Sequence, residues 1–350
     1  MLAYQLVGTG GINDLRSAEL PVPSPRRGQI LIRMRAASLN FRDLLVAKGG
    51  YGAEMPVPII PLSDGCGEVV AVGDDVTHFV VGDRACPTFS NNWTGGPVAA
   101  EHIPTSLGGF VDGVLAEYLV CDAAVAVKPP AHLSFEQAAC LPCAGVTAWS
   151  ALNGPRAVKA GETVLTLGTG GVSMFAVQFA RAAGARVIAT SSSDEKLAQL
   201  RALGADDTIN YASHPDWEHE VLRLTDGRGV DHVVEIGGGG TLPKSIASTA
   251  VNGQVHLIGV LTSGQINPLS IMSWKTIRGI LVGSRNDFEA MNRMIEVHRI
   301  EPVIDEVFEF DRAADAYRKL EAAKHVGKIV ITARCRSRFF GTALSPAPQT

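Results

Sequence analysis

The chain has 350 residues, 46% of them hydrophobic and 19% charged; this is enough apolar material for a sizeable core and excludes a mainly disordered, collagen-like or disulfide-scaffold protein. Its 31 basic and 35 acidic residues leave a net charge of -4, which offers nucleic acid no electrostatic footprint and suits small ligands better. At roughly 100 to 200 residues per domain, the length predicts two domains.

The segment MLAYQLVGTG lacks the basic stretch, apolar run and small-residue cleavage site of an export signal, and no run of about 18 apolar residues follows anywhere. A cytoplasmic protein without membrane contact is expected. Up to residue 128, short strand-like runs (QILIRMRAASL, GCGEVVAVG, GVLAEYLVC) alternate with Gly, Pro and Asp turns, predicting a mostly antiparallel β domain. The long aperiodic loop NNWTGGPVAAEHIPTSLGG interrupts them; Trp93 in it either lines a pocket or pins the loop.

From Ser134 the pattern turns helical, with Ser134 and Gln137 at capping-box spacing. Cys140 and Cys143 have the CxxC spacing of redox dithiols or half a zinc site. No second CxxC exists and the pair lies in the apolar stretch AACLPCAGVTAW, so core packing is the favoured reading. Alternating strands and helices follow from Thr163, the pattern of a doubly wound parallel sheet covered on both faces. This predicts a nucleotide-binding domain over 129–275 and a return to the first domain over 276–334. The remaining 335–350, rich in Pro and Ser, reads as a poorly ordered tail.

The strand TVLTL runs into Gly168-Thr169-Gly170-Gly171-Val172-Ser173, and a helix follows at once. That context is what a dinucleotide fingerprint requires: Gly168 permits the tight turn, and Gly170 lets backbone amides approach a pyrophosphate. The second strand ends in Thr190-Ser191-Ser192-Ser193, with Lys196 on the next helical turn. Hydroxyls and an ammonium there favour the 2′-phosphate of NADP over NAD, although Asp194 and Glu195 could turn to the ribose or simply suit the helix N-terminus. Gly237 to Gly240, Gly259 and Gly283 close later strands, either beside a nicotinamide or as ordinary turns.

The segments ASLNFRDLL, PLSDGCGEVVAVGDDV, VGDRAC, LSFEQAACLPCAGVTAWSAL, GETVLTLGTGGVSMFAVQFARAAGARVIAT, LGADDTINY and HVGKIVI resemble the medium-chain dehydrogenase/reductase superfamily, from residue 3 to about 332. The resemblance implies an α/β fold in which a Rossmann doubly wound sheet is joined to a GroES-like mostly antiparallel β domain built from both chain ends, with the active site between them. It is similar to the zinc-independent, quinone oxidoreductase-like branch. Asn40 stands at the first zinc-ligand position, Leu62-Ser63-Asp64 replaces Gly-His-Glu and only Cys143 remains, so no metal is expected.

The resemblance implies Asn40, Asp43 and Tyr51 at the catalytic cleft, with Leu45 departing from the tyrosine that quinone reductases often carry. It implies cofactor contacts at Thr147, Gly168, Gly170, Gly171, Val172, Ser191, Ser192, Lys196, Tyr211, Gly237, Gly259, Val260, Gly283, Ser284 and Arg285. The expected activity is hydride transfer from NADPH to a small-molecule substrate, a quinone or an activated double bond. The alternatives are a zinc-free NAD(P)-dependent alcohol dehydrogenase and a non-catalytic NADPH-binding or sensing protein. A homodimer is expected, joined through the apolar QVHLIGVL and ILVG segments.

Overall fold

The strands Thr163–Leu167, Arg186–Ser191, Asp207–Asn210, Val230–Glu235, Thr249–Leu257 and Thr276–Gly279 form one six-stranded sheet in which every neighbouring pair is parallel. Counted along the chain they lie in the order 3-2-1-4-5-6, so the switch point of the doubly wound arrangement falls between Thr163–Leu167 and Val230–Glu235. The two central strands, Thr163–Leu167 and Val230–Glu235, are buried from end to end because both faces of the sheet are covered. Val164, Val187 and Val234 face one core, whereas Leu165, Ile188 and Val233 face the other, the period-two alternation of a strand. The computed structural model describes residues 1–51 and 55–333; the expected tail at 335–350 lies outside the described residues.

The second sheet is mixed and mostly antiparallel. Its path runs Ile304–Glu309, Lys328–Thr332, Gln29–Ser38, Asp64–Val72, Arg84–Pro87 and Ala126–Val127, with Tyr118–Asp122 also paired to Gln29–Ser38. Lys328–Thr332 thus lies beside Gln29–Ser38, and the two ends of the chain build one GroES-like sheet around the inserted parallel one.

Two expectations change. The strand Thr276–Gly279 pairs with Thr249–Leu257, so the chain leaves the parallel sheet after Gly279, one strand later than the boundary expected at 275. That edge strand is short and half-exposed, and the segment before it carries only the 3-10 turn Pro268–Ile271 instead of a crossover α-helix; it therefore lacks the strand-helix rhythm. The helical stretch from Ser134 is also broken into Phe135–Ala138, a π-turn over Leu141–Gly145 and Val146–Leu152. Pro142 lies at its start and has no N–H to donate, which favours such a break. Ser134 and Gln137 do form the capping box.

Among the described residues, no helix is long and apolar enough to cross a membrane.

Candidate active site

The dinucleotide turn sits at the switch point. Gly168 has φ +69°, the left-handed conformation that favours glycine, and Gly170 caps the helix Gly171–Ala182. A side chain at Gly170 would meet nothing within 4 Å, so open space lies over the amides at the start of that helix. Ser173 donates its hydroxyl to the Leu167 carbonyl at 2.6 Å, fastening helix to strand at the position where a dinucleotide fingerprint usually carries glycine or alanine. The residues present fit a pyrophosphate.

Ser191, Ser192, Lys196 and Tyr211 come together where the second and third strands end, the Tyr211 amide donating to the Ser191 carbonyl at 2.9 Å. Of the two carboxylates that could turn to a ribose 2′-hydroxyl, Asp194 accepts the Asn210 amide at 2.8 Å. Lys196 reaches the His325 carbonyl at 3.4 Å.

The later glycines behave differently from one another. Glu235 accepts the Gly237 and Gly238 amides at 2.7 and 3.0 Å and the Thr241 hydroxyl at 2.6 Å, so this glycine run folds around a buried carboxylate. At Gly259 a methyl group would overlap the Ile236 carbonyl, which makes it a close backbone crossing. Val260 is exposed and Thr147 buried. Gly283 packs on Ser150 and Val146, and Ser284 caps the helix Arg285–His298. Arg285 pairs with Glu289 at 2.6 Å and lines a groove with His78, Lys128 and Asn292, which shares no residue with the dinucleotide turn.

Across the domain junction the Gly327 amide donates to the Thr169 carbonyl at 2.8 Å, which sets Lys328 beside the dinucleotide turn. Only 3% exposed, its ammonium donates to the Leu39 carbonyl at 2.6 Å and to Asn40 Oδ1 at 2.5 Å, with Asp64 Oδ2 at 3.9 Å. Asp64 is fully buried and accepts the Ser63 hydroxyl at 2.7 Å and the Cys143 amide at 3.1 Å. Burial pushes its carboxyl up; Lys328, Asn40, Ser63 and the Cys143 amide oppose that rise.

Asn40, Asp64 and Cys143 therefore lie around a lysine ammonium. Burial, with Asp64 adding to it, pushes the Cys143 thiol up to about 12, and burial does the same to Cys140. Neither is held as a thiolate near neutral pH, the form that attacks a disulfide. Among the described residues no group of three or more His, Cys, Asp or Glu could hold a metal ion.

Asn40 caps the helix Phe41–Ala47, and the fully buried Asp43 returns a carboxylate oxygen to the Asn40 amide at 2.7 Å. Burial raises the Asp43 carboxyl to about 6 against the pull of Arg42 and the Asn40 amide. The Tyr51 ring packs over the Arg42 guanidinium at 4.5 Å and tilts against Phe110 at 6.3 Å. Asn40, Asp43 and Tyr51 thus lie in one neighbourhood. Trp93 stacks on His102 at 5.2 Å, whereas Trp274 is exposed.

Sequence reasoning missed Lys328 and Arg42 as site residues. The only signal for Lys328 was a lysine opening an apolar strand after a glycine; for Arg42 it was a cation in a helix's first turn, where the dipole disfavours it.

A dinucleotide turn at the switch point of a doubly wound sheet, roofed by a second domain that brings buried polar groups to it, defines a nicotinamide-dependent oxidoreductase. Residues 26–131 match the alcohol dehydrogenase GroES-like domain, and residues 171–296 match the zinc-binding dehydrogenase family. A zinc-type alcohol dehydrogenase-like protein of Schizosaccharomyces pombe is 44% identical over 331 residues, covering 92% of this chain and 96% of its own.

Among solved structures, a putative alcohol dehydrogenase from Sinorhizobium meliloti superposes with TM-score 0.88 at 40% identity, covering 95% of this chain and 98% of its own. A quinone oxidoreductase from Pseudomonas syringae gives 0.81 at 30% identity, over 95% and 99%. A mycobacterial protein complexed with NADPH gives 0.80 at 29%, over 95% and 100%. The chain belongs to the medium-chain dehydrogenase/reductase superfamily.

Proposed function

We propose that this enzyme is an NADPH-dependent, zinc-independent reductase that delivers hydride to an activated double bond or a quinone. The observation that carries the reading is the buried Lys328 ammonium among Asn40, Asp64 and Cys143. Tetrahedral zinc needs three strong protein ligands before substrate or water completes it, and an amide held by an ammonium, a carboxylate beside that ammonium and a single thiol do not supply them. Lacking a Lewis acid to polarise an alcohol, the site suits an acceptor that is already electron-poor. The preference for NADPH rests on the Ser191, Ser192 and Lys196 corner and on the engagement of Asp194 by Asn210.

When bound, the cofactor supplies the hydride equivalent, with Gly168, Gly170, Gly171 and Val172 at its pyrophosphate. Lys328 holds Asn40 Oδ1, so Nδ2 is the amide's donor end; it stands beside Asp64 and would turn to a conjugated oxygen on which negative charge develops. Tyr51 or a water molecule delivers the proton, and Asp43 orients the Asn40 turn.

The reading predicts NADPH oxidation by the purified full-length chain with a panel of quinones, enones and enoyl thioesters, unaffected by chelators. Alcohol oxidation that requires added zinc, without turnover of that panel, would overturn it. The similarity to zinc-type alcohol dehydrogenase-like proteins favours a second reading, a zinc-free NAD(P)-dependent alcohol dehydrogenase; oxidation of alcohols by metal-free protein would select it. A homodimer accords with the unpaired outer edge of Thr276–Gly279 and the exposed Leu261, Leu269, Met272 and Trp274 nearby in the chain.

A further inference from the structure

One short segment, residues 325–327, touches both ends of the dinucleotide site from the GroES-like side. The Gly327 amide donates to the Thr169 carbonyl at 2.8 Å, in the glycine turn. The His325 carbonyl accepts from the Lys196 ammonium at 3.4 Å, in the corner where the second and third strands end. Between them the Val326 amide donates to Asp305 Oδ1 at 2.9 Å. Hydrogen bonds on three successive residues leave the segment little freedom, so His325 is held where turn and corner meet.

Among the described residues no hydrogen bond holds the imidazole. Nδ1 is buried without a partner, which leaves Nε2, on a residue only partly buried, to meet a ligand. Burial lowers the pKa of the ring, opposed by Asp305 and assisted by Lys328, Lys196 and Lys319, so the ring is neutral near pH 7. Asp305 is itself tied to Lys319 at 2.7 Å. The balance of charge around the ring is therefore positive, and an anion set there gains charge-assisted hydrogen bonds. Room exists for one, since Ser192 and Tyr211 in the same corner are exposed.

We propose that His325 is a specificity-determining residue for the cofactor, its Nε2 donating to a 2′-phosphate beside Lys196. A neutral imidazole carries one ring proton, and with that proton on Nε2 the buried Nδ1 is left as a bare lone pair, so no desolvated N–H lacks an acceptor. The 2′-hydroxyl of NADH brings no charge for Lys196 and His325 to meet, and the residue thus favours NADPH while leaving the rest of the dinucleotide alone. The inference rests on the NADPH reading and adds to it a donor that neither the glycine turn nor the strand ends supply.

The test uses the full chain titrated by calorimetry with adenosine 2′,5′-bisphosphate and with adenosine 5′-monophosphate, which differ only in the phosphate at issue. The wild-type protein is expected to bind the bisphosphate at least about tenfold more tightly. His325→Leu should lose at least about fivefold of that preference with the affinity for the monophosphate unchanged. His325→Gln, whose amide still donates, should keep more of it. NADPH and NADH, titrated by nicotinamide fluorescence, should repeat the order.

A preference for the bisphosphate that His325→Leu leaves intact overturns the proposal and lets NADPH use stand. An equal loss of affinity for both nucleotides also overturns it, because His325 would then serve the diphosphate or the fold. A wild-type chain that does not prefer the bisphosphate defeats the NADPH reading itself, and the proposal with it, so the two failures are distinct. Should His325→Leu fail to fold, His325→Asn, too short to reach the phosphate, takes its place and is judged by the same ratio.

Discussion

Asp43→Asn should stabilise the protein at alkaline pH, although it removes a helix-capping carboxylate. Asp43 is fully buried, and burial raises its carboxyl from 3.8 to about 6. At about 1.36 kcal/mol per pKa unit, holding that group ionised costs roughly 3 kcal/mol of folding free energy. The sign follows from proton binding. Between 3.8 and about 6 the folded state holds a proton that the unfolded state releases, so this group's penalty is complete above about 6 and fades as pH falls toward 3.8.

Asparagine carries no charge and still offers Oδ1 to the Asn40 amide, now 2.7 Å from the carboxylate. Allowing about 1 kcal/mol for the weaker cap, the variant should be about 2 kcal/mol more stable than wild type at pH 8. By pH 5 the linkage has fallen by about half, and the advantage should fall below about 1 kcal/mol. Urea unfolding of both proteins at the two pH values, read by tryptophan fluorescence and far-UV circular dichroism, measures the difference. A variant less stable than wild type by the same amount at both values would refute the reasoning, because it would show that the carboxylate acts as a cap and Arg42 partner without a desolvation cost.

His256 supplies the opposite pH dependence. Burial, with His232, Arg278 and Arg156 adding to it, lowers its imidazole from 6.5 to about 3, so stability present above 6.5 is lost as pH falls below it, by about 2 kcal/mol at pH 5. His256→Gln should lose correspondingly less stability than wild type between pH 7 and pH 5 in the same unfolding assay; parallel losses would contradict it. Gly259→Ala should lower the unfolding midpoint by the equivalent of at least about 1 to 3 kcal/mol, because the added methyl overlaps the Ile236 carbonyl; calorimetry showing an unchanged midpoint would count against that close crossing. On the proposed homodimer, Trp274→Glu, at a residue 76% exposed, should shift the protein toward monomer in light scattering; a monomeric wild type, or a dimer of undiminished stability in the variant, would count against an interface at this edge.

The parallel sheet was legible because strand-like segments alternate with helical ones from Thr163 onward, most of those strands being rich in β-branched residues, and the fingerprint at Gly168 carried its own context. The polar centre was legible only in part. Asn40, Asp43 and Tyr51 could be expected near one another, and they share one neighbourhood around Arg42. The occupant of that space could not be read, because the burial of a charge is decided by partners distant in the chain.

Lys328 is buried since Gly327 hooks onto Thr169 and its ammonium reaches Leu39 and Asn40. None of those contacts leaves a local pattern in HVGKIVI. Gly237 and Gly238 show the converse, since a run that looked suited to ligand approach is drawn around Glu235. The centre then contains two cations, Arg42 and Lys328, against two carboxyls, Asp43 and Asp64, each nearly or fully buried. In such a set the removal of one charge is felt by the other three, since little water is present to screen it. A substitution at any of the four is therefore best read from its partner's response, as Lys328→Met through the proton affinity of Asp64.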